Sequence, residues 1–183
     1  MAIKGTKGPS KGKDGRIIKM ATWNIRCGRG AHIHSACRAL DSLNIDIGFL
    51  QETKITADDN YPRCSQVGGY NIVASNATSK SQGGVAFCWK QKDSFVVEAE
   101  RKWHANVMSI HVVTGNTRYY IVGCYLPPDD LATLEYVKKA WSQRPSGATP
   151  LLIGDFNVDL DSPNNSRADI IAEQLDRWLL NKT

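Results

Sequence analysis

Three short apolar stretches of this chain each run into carboxamide or carboxylate side chains: Trp23-Asn24, Gln51-Glu52 and Asp155-Phe156-Asn157. Alone, each pair is ordinary turn chemistry, because Asn and Asp satisfy backbone groups where strands end. As a set they suit a hard cation. Mg²⁺ takes oxygen ligands, keeps several waters and is usually held by one or two carboxylates plus a substrate phosphate. One Glu with a neighbouring Asn carboxamide meets that description, a further Asp can accept a proton from water, and an Asn two residues on can orient a phosphate. If the backbone stays extended through Asp155 and Asn157, their side chains point the same way.

The elements around these residues read as follows. Ile17–Asn24 is a strand, and Ile33, Ala36, Cys37, Leu40 and Leu43 form one face of an amphipathic helix that Asn44 can end. Ile45–Leu50 is a second strand, so the strand–helix–strand order implies a crossover within one sheet. Tyr70–Ala74, Gly83–Trp89, Phe95–Ala99, Val107–Val113 and Arg118–Tyr125 are further strands, the last two joined by a Gly115-Asn116 hairpin. Pro127-Pro128 stops the run, and Asp129 or Asp130 can cap a helix carrying Leu131, Leu134, Val137 and Trp141. Pro150–Gly154 reads as a buried strand, and a last helix opens at Ser166 and buries Ile171, Leu175, Trp178 and Leu179. Loops at the carboxyl ends of such strands are where sites are built.

Five ordered segments carry a resemblance: Thr22-Trp23-Asn24-Ile25-Arg26, Gln51-Glu52-Thr53-Lys54, Gly83-Gly84-Val85-Ala86, Cys124-Tyr125-Leu126-Pro127-Pro128 and Gly154-Asp155-Phe156-Asn157. From about Ile17 to Asp161 the sequence resembles the endonuclease/exonuclease/phosphatase family, most of all the endonuclease domains of non-LTR (LINE-type) retrotransposons. The resemblance implies an α/β fold, a two-sheet sandwich with helices on the outer faces. It implies Mg²⁺-dependent hydrolysis of DNA phosphodiesters, with Mn²⁺ as the alternative ion. Glu52 would be the principal metal ligand, supported by Asn24. Tyr125 would contact the scissile phosphate, Asp155 would position or deprotonate the attacking water, and Asn157 would hold a phosphate oxygen. Arg26 and Arg29, just past Asn24, are candidate contacts to DNA phosphates, with solvated loop charges as the equal alternative. Trp23 is expected to back the site.

The family pattern also closes on an Asp-His pair, and none of the four histidines, His32, His34, His104 and His111, follows an Asp. The expectation is therefore an incomplete domain over residues 17–183, lacking the last strands of the family fold, and weak or inactive alone. Its partners would be DNA and either the missing polypeptide or a reverse transcriptase module. The kinship alone implies an intracellular, nuclear setting. A phosphatase or phosphodiesterase acting on small esters or lipids is the first rival reading, and an inert or nucleic-acid-binding remnant the second.

Bulk properties narrow the field less. The 183 residues are 42% hydrophobic and 22% charged, as expected for one globular domain. No apolar run approaches the ~18 residues of a helical span, so no membrane partner is expected. The net charge of +5 sits wholly within the first nineteen residues, which leaves 17 charges of each sign beyond them. Residues 1–16 therefore read as a basic, disordered tail. Five cysteines without a C-x-x-C pair fit reduced thiols, with Cys88 and Cys124 in the core.

Overall fold

The computed structural model describes residues 17–26, 30–57, 59, 64–159 and 166–180. The basic tail over residues 1–16 and Arg29 lie outside the described residues. Strand β1 (Met20–Asn24) leads through α1 (Gly30–Ser42) to β2 (Ile47–Gln51), and the two strands pair in parallel. β3 (Cys64–Val67), β4 (Tyr70–Ala74) and β5 (Val85–Lys90) complete a five-stranded sheet in the order β1-β2-β5-β4-β3. β6 (Val96–His104), β7 (Val107–Thr114), β8 (Thr117–Tyr125) and β9 (Thr149–Asp155) form a second sheet in that order. α2 (Thr133–Ser142) bridges β8 and β9, and α3 (Ser166–Leu180) follows.

Side chains alternate along these strands, and the alternation builds the layers. Ile47, Phe49, Val85 and Phe87 of the first sheet meet Met108, Ile110, Val112, Tyr119 and Ile121 of the second. The opposite face of the first sheet, through Leu50, Ile72, Ala86 and Cys88, packs on Ile33, Ala36, Cys37 and Leu40 of α1. Behind the second sheet, Val137, Ala140 and Trp141 of α2 cover Tyr120, Val122 and Cys124. Trp178 of α3 joins there, its carbonyl accepting from Trp141 Nε1 at 3.1 Å. The expected sandwich with helices on its outer faces is what the chain forms. Cys37, Cys88 and Cys124 are buried free thiols.

Several expectations need correction. β3 was not foreseen: it is four residues long, half polar, and reached by a Gly68-Gly69 turn. Leu43 lies beyond α1 and is 61% exposed, because Asn44 adopts φ 54 and terminates the helix before Leu43 can turn inward. The Ile45 N–H then reaches back to the Leu40 carbonyl at 2.9 Å, as in a Schellman ending. Asp130 accepts from the Thr133 N–H at 3.2 Å, but Ala132 occupies the N-cap position of α2. β9 is half-buried rather than buried, since it is an edge strand. β1 is the edge of the other sheet on the same flank, where Ile18, Met20, Ile47, Val112, Tyr119, Ile121 and Leu151 line a shallow apolar cleft. Among the described residues, no helix is long and apolar enough to cross a membrane.

Candidate active site

Parallel and antiparallel pairings put the carboxyl ends of β1, β2, β8 and β9 on one rim, beside the start of β5. Each strand delivers a polar residue there. Asn24 is the last residue of β1, Glu52 follows β2, and Tyr125 and Asp155 end β8 and β9 in register with one another.

The amide of Asn24 ties these pieces together. Its Nδ2 donates to Glu52 Oε1 at 2.9 Å and to Asp155 Oδ2 at 2.9 Å. Tyr125 Oη donates to the same Glu52 oxygen at 2.9 Å, and Lys54 Nζ lies 3.4 Å from Glu52 Oε2. Burial pushes the Glu52 carboxyl up, but hydrogen bonds from Asn24, Tyr125 and Lys54 outweigh it, and its pKa falls below the ordinary value. The Tyr125 phenol is pushed up to about 12 by burial and then by the Glu52 and Asp155 carboxylates. It is a neutral donor at pH 7.

Asn157 reaches the cluster by another route than a pleat. Its φ is 47, so the backbone is not extended after Asp155. Instead the Asn157 N–H donates to Asp155 Oδ1 at 3.0 Å, closing an Asx turn, and its Nδ2 donates to the Leu126 carbonyl at 3.0 Å. Its amide also borders the Tyr125 hydroxyl. Arg26 is exposed beside the site, with its N–H on Asn24 Oδ1 at 3.1 Å and its carbonyl accepting from Lys54 Nζ at 3.3 Å. Trp23 does not back the site, because its alternation along β1 turns it away from Asn24 and leaves it 39% exposed.

Backbone strain is concentrated here. Among the described residues, the non-glycine positions with positive φ are Arg26, Asn44, Glu52, Lys54 and Asn157, and all but Asn44 lie in this mouth. Such conformations cost of order 1–3 kcal/mol each and gather where function over-determines them. Glycine makes room for one of them. A Cβ at Gly84 would come within 2.5 Å of Thr53 Oγ1, so the strand beginning after Gly84 can lie against the loop that carries Glu52 only with glycine there. That loop is held by the Thr53 and Lys54 N–H groups on the Gly84 and Gly83 carbonyls, at 3.1 and 3.0 Å.

Two participants escaped the sequence reading. Lys54 was seen as part of a motif, and only its ion pair with Glu52 marks it as part of the site. Asn106 lies in the β6–β7 turn. It accepts from the Tyr125 N–H through its carbonyl at 2.9 Å and from the Gly84 N–H through Oδ1 at 3.2 Å, so it sets both rims of the mouth.

The donor set fits a hard divalent cation. Two carboxylates converge on one amide, and a half-turn of the Asn24 amide exchanges its nitrogen for an oxygen ligand. Among the described residues, no group of three or more His, Cys, Asp or Glu side chains gathers here or elsewhere, so the protein ligands this mouth offers are the carboxylates of Glu52 and Asp155 and the Asn24 amide.

Known structures share this frame. The chain superimposes on an AP endonuclease from Archaeoglobus fulgidus with TM-score 0.61 and 21% identity, over 88% of this chain and 70% of that one. The endonuclease domain of TRAS1, a telomere-specific non-LTR retrotransposon, gives TM-score 0.62 and 16% identity, over 88% and 72%. D. rerio TDP2, solved with a single strand DNA product, gives 0.59 and 15%, over 85% and 64%. At such identities these likenesses speak for the fold. No curated protein matches the sequence. Residues 21–182, nearly the whole described body, match the Endonuclease/Exonuclease/phosphatase family, and the chain belongs to it.

Proposed function

We propose that this chain is built for Mg²⁺-assisted hydrolysis of DNA phosphodiester bonds, as an endonuclease of the retroelement type whose activity alone is weak. The observation that carries the reading is one amide, Asn24, bridging the carboxylates of Glu52 and Asp155 while Tyr125 donates to the first. Support also comes from the neighbours' own subjects, an AP endonuclease, a retrotransposon endonuclease domain and an enzyme solved with a DNA product.

In this reading Glu52 and Asn24 would hold the cation, which when bound would supply charge neutralisation at the phosphate. Asp155, on the far side of Asn24, accepts the proton of the attacking water as its oxygen bonds to phosphorus; one P–O ester bond breaks in exchange, and the departing alkoxide takes a proton from solvent. Tyr125, kept protonated by burial and its acidic neighbours, donates to a phosphate oxygen, where a fixed neutral donor costs no reorganisation. Asn157 adds a second donor beside Tyr125. Lys54 keeps Glu52 ionised and turned into the mouth.

The test is nicking of supercoiled plasmid by excess protein, with MgCl₂ or EDTA. Asp155→Ala should lower the rate by about 10²–10⁴, the span usual for a removed acid–base group, and Glu52→Ala by about 10² or more, since a lost cation forfeits several kcal/mol of charge stabilisation. Equal nicking by wild type and both variants, or faster phosphate release from small esters than nicking, would overturn the reading.

A further inference from the structure

The second sheet carries an aromatic pair on the same rim as the carboxylates. β6 and β8 both run antiparallel to β7, so the carboxyl end of β6 lies beside that of β8. His104 is the last residue of β6 and stands in a row with Val107 and Cys124, the residue before Tyr125. Two strand spacings separate its backbone from that of Cys124, roughly 10 Å. A short chain of hydrogen bonds joins them: the Asn106 N–H donates to His104 Nδ1 at 3.4 Å, and the Tyr125 N–H donates to the Asn106 carbonyl.

Tyr136 of α2 stacks on the His104 imidazole, with ring centroids 4.3 Å apart and planes 17° from parallel. The helix is anchored by Leu134, Val137, Ala140 and Trp141, all buried, whereas Tyr136 is 39% exposed. The phenol ring is therefore supported from behind and open to solvent. Burial holds the imidazole pKa below its ordinary value despite the charge of Asp130, so the ring that backs Tyr136 is neutral at pH 7. Charges of both signs stand around the pair: the Asp130 carboxylate acts on the imidazole, Glu135 next to Tyr136 lies 3.9 Å from Lys138 Nζ, and Lys139 is exposed one turn along α2.

The geometry points to a stacking platform: Tyr136, backed by His104, takes the face of an unpaired nucleobase beside the phosphate-handling mouth. Naming that neighbour rests on the proposed nuclease reading. A supported aromatic face beside an exposed lysine, Lys139, is what single-stranded nucleic acid recognition uses, and a base inside a duplex has no free face to offer it. The roughly 10 Å between the His104 and Cys124 backbones, one residue short of Tyr125, keeps that base within a few nucleotides of the reacting phosphate.

The test uses the full chain in EDTA, so that turnover is absent, with a short single-stranded oligonucleotide carrying one 2-aminopurine and its blunt duplex as probes. Wild type and Tyr136→Phe should quench 2-aminopurine on binding the single strand. Tyr136→Ala and Tyr136→Leu should bind it about tenfold more weakly and lose the quenching, while their duplex affinity moves by less than about twofold. The Leu variant keeps apolar bulk, which separates stacking from packing. Unchanged single-strand affinity and quenching in Tyr136→Leu would overturn the platform whatever the nicking assay gives. Loss of nicking in Glu52→Ala bears only on the catalytic reading.

Discussion

Replacing Asn24 by Asp preserves the size of the side chain and turns the bridging donor into a third anion. Nδ2 lies 2.9 Å from both Glu52 Oε1 and Asp155 Oδ2, so both hydrogen bonds are lost and three carboxylates meet. Unit charges 4 Å apart repel by about 4 kcal/mol at an effective dielectric near 20. The cluster escapes part of that by binding a proton, at a cost of about 1.4 kcal/mol for each pH unit above a carboxyl pKa near 4, or roughly 4 kcal/mol at pH 7. The penalty is thereby capped, and a loss of about 2–4 kcal/mol corresponds to a Tm lower by roughly 5–15 °C in a domain of this size. Two signatures separate this from a cavity or a misfold. At pH 5 the proton costs only about 1.4 kcal/mol, so the gap to wild type should narrow. Mg²⁺ should restore stability, by about 2.7 kcal/mol at a hundredfold excess over its Kd. Thermal unfolding followed by circular dichroism in EDTA and in MgCl₂, from pH 5 to 8, reads all three. A variant that melts with wild type in EDTA at pH 7, or whose deficit ignores both pH and Mg²⁺, would refute the reasoning.

Other substitutions probe the same frame. Tyr125→Phe removes a donor from Glu52, whose folded pKa is depressed, so the stability this carboxylate contributes is present above its unfolded pKa and lost as pH falls through the folded one. The variant should lose it at higher pH than wild type in acid melts, and should nick about 10²–10³ more slowly. At the alkaline end the sign reverses. Tyr125 itself is raised to about 12, so wild type should lose stability as pH rises from its unfolded value near 10 through that point, and the Phe variant should lack this loss. Gly154→Ala sets a Cβ into the Cys124 carbonyl at φ 149, and should cost more than the ~1–3 kcal/mol of a strained backbone alone, read as a lowered Tm or insoluble protein. Leu43→Lys, at a position 61% exposed, should leave the unfolding free energy unchanged to within about 0.5 kcal/mol in denaturant melts.

The parts of the fold that were legible in advance are those where periodicity and punctuation agree. α1 buries Ile33, Ala36, Cys37 and Leu40 as its spacing requires, and Asn44 ends it. The same residues misled at Leu43, since a hydrophobic period continues past a helix end without knowing where the backbone turns. β9 looked buried because Pro150–Gly154 is apolar, yet apolarity says nothing of whether a neighbouring strand stands on each side. The convergence of Asn24, Glu52, Tyr125 and Asp155 was suggested by polar residues at strand ends. The left-handed backbone at Glu52, Lys54 and Asn157 was not, because nothing in those side chains demands it. His104 and Tyr136 could not be paired from sequence either: they are 32 positions apart and meet only because α2 lies over the end of β6.

Glu52 and Asn24 descend from one sheet, Tyr125 and Asp155 from the other. The cluster is thus a seam, and neither half alone holds more than part of its donor set. Its alignment depends on how the layers seat, which at mid-span turns on the Phe49 ring filling the space over Gly123, where any side chain would collide with it. An intermediate with one sheet assembled would carry scattered ligands and no centre. Whatever this mouth does, it can begin only once the two layers have locked, so the chemistry is inherently gated by completion of folding, and distant substitutions that slide one layer over the other will be felt there first.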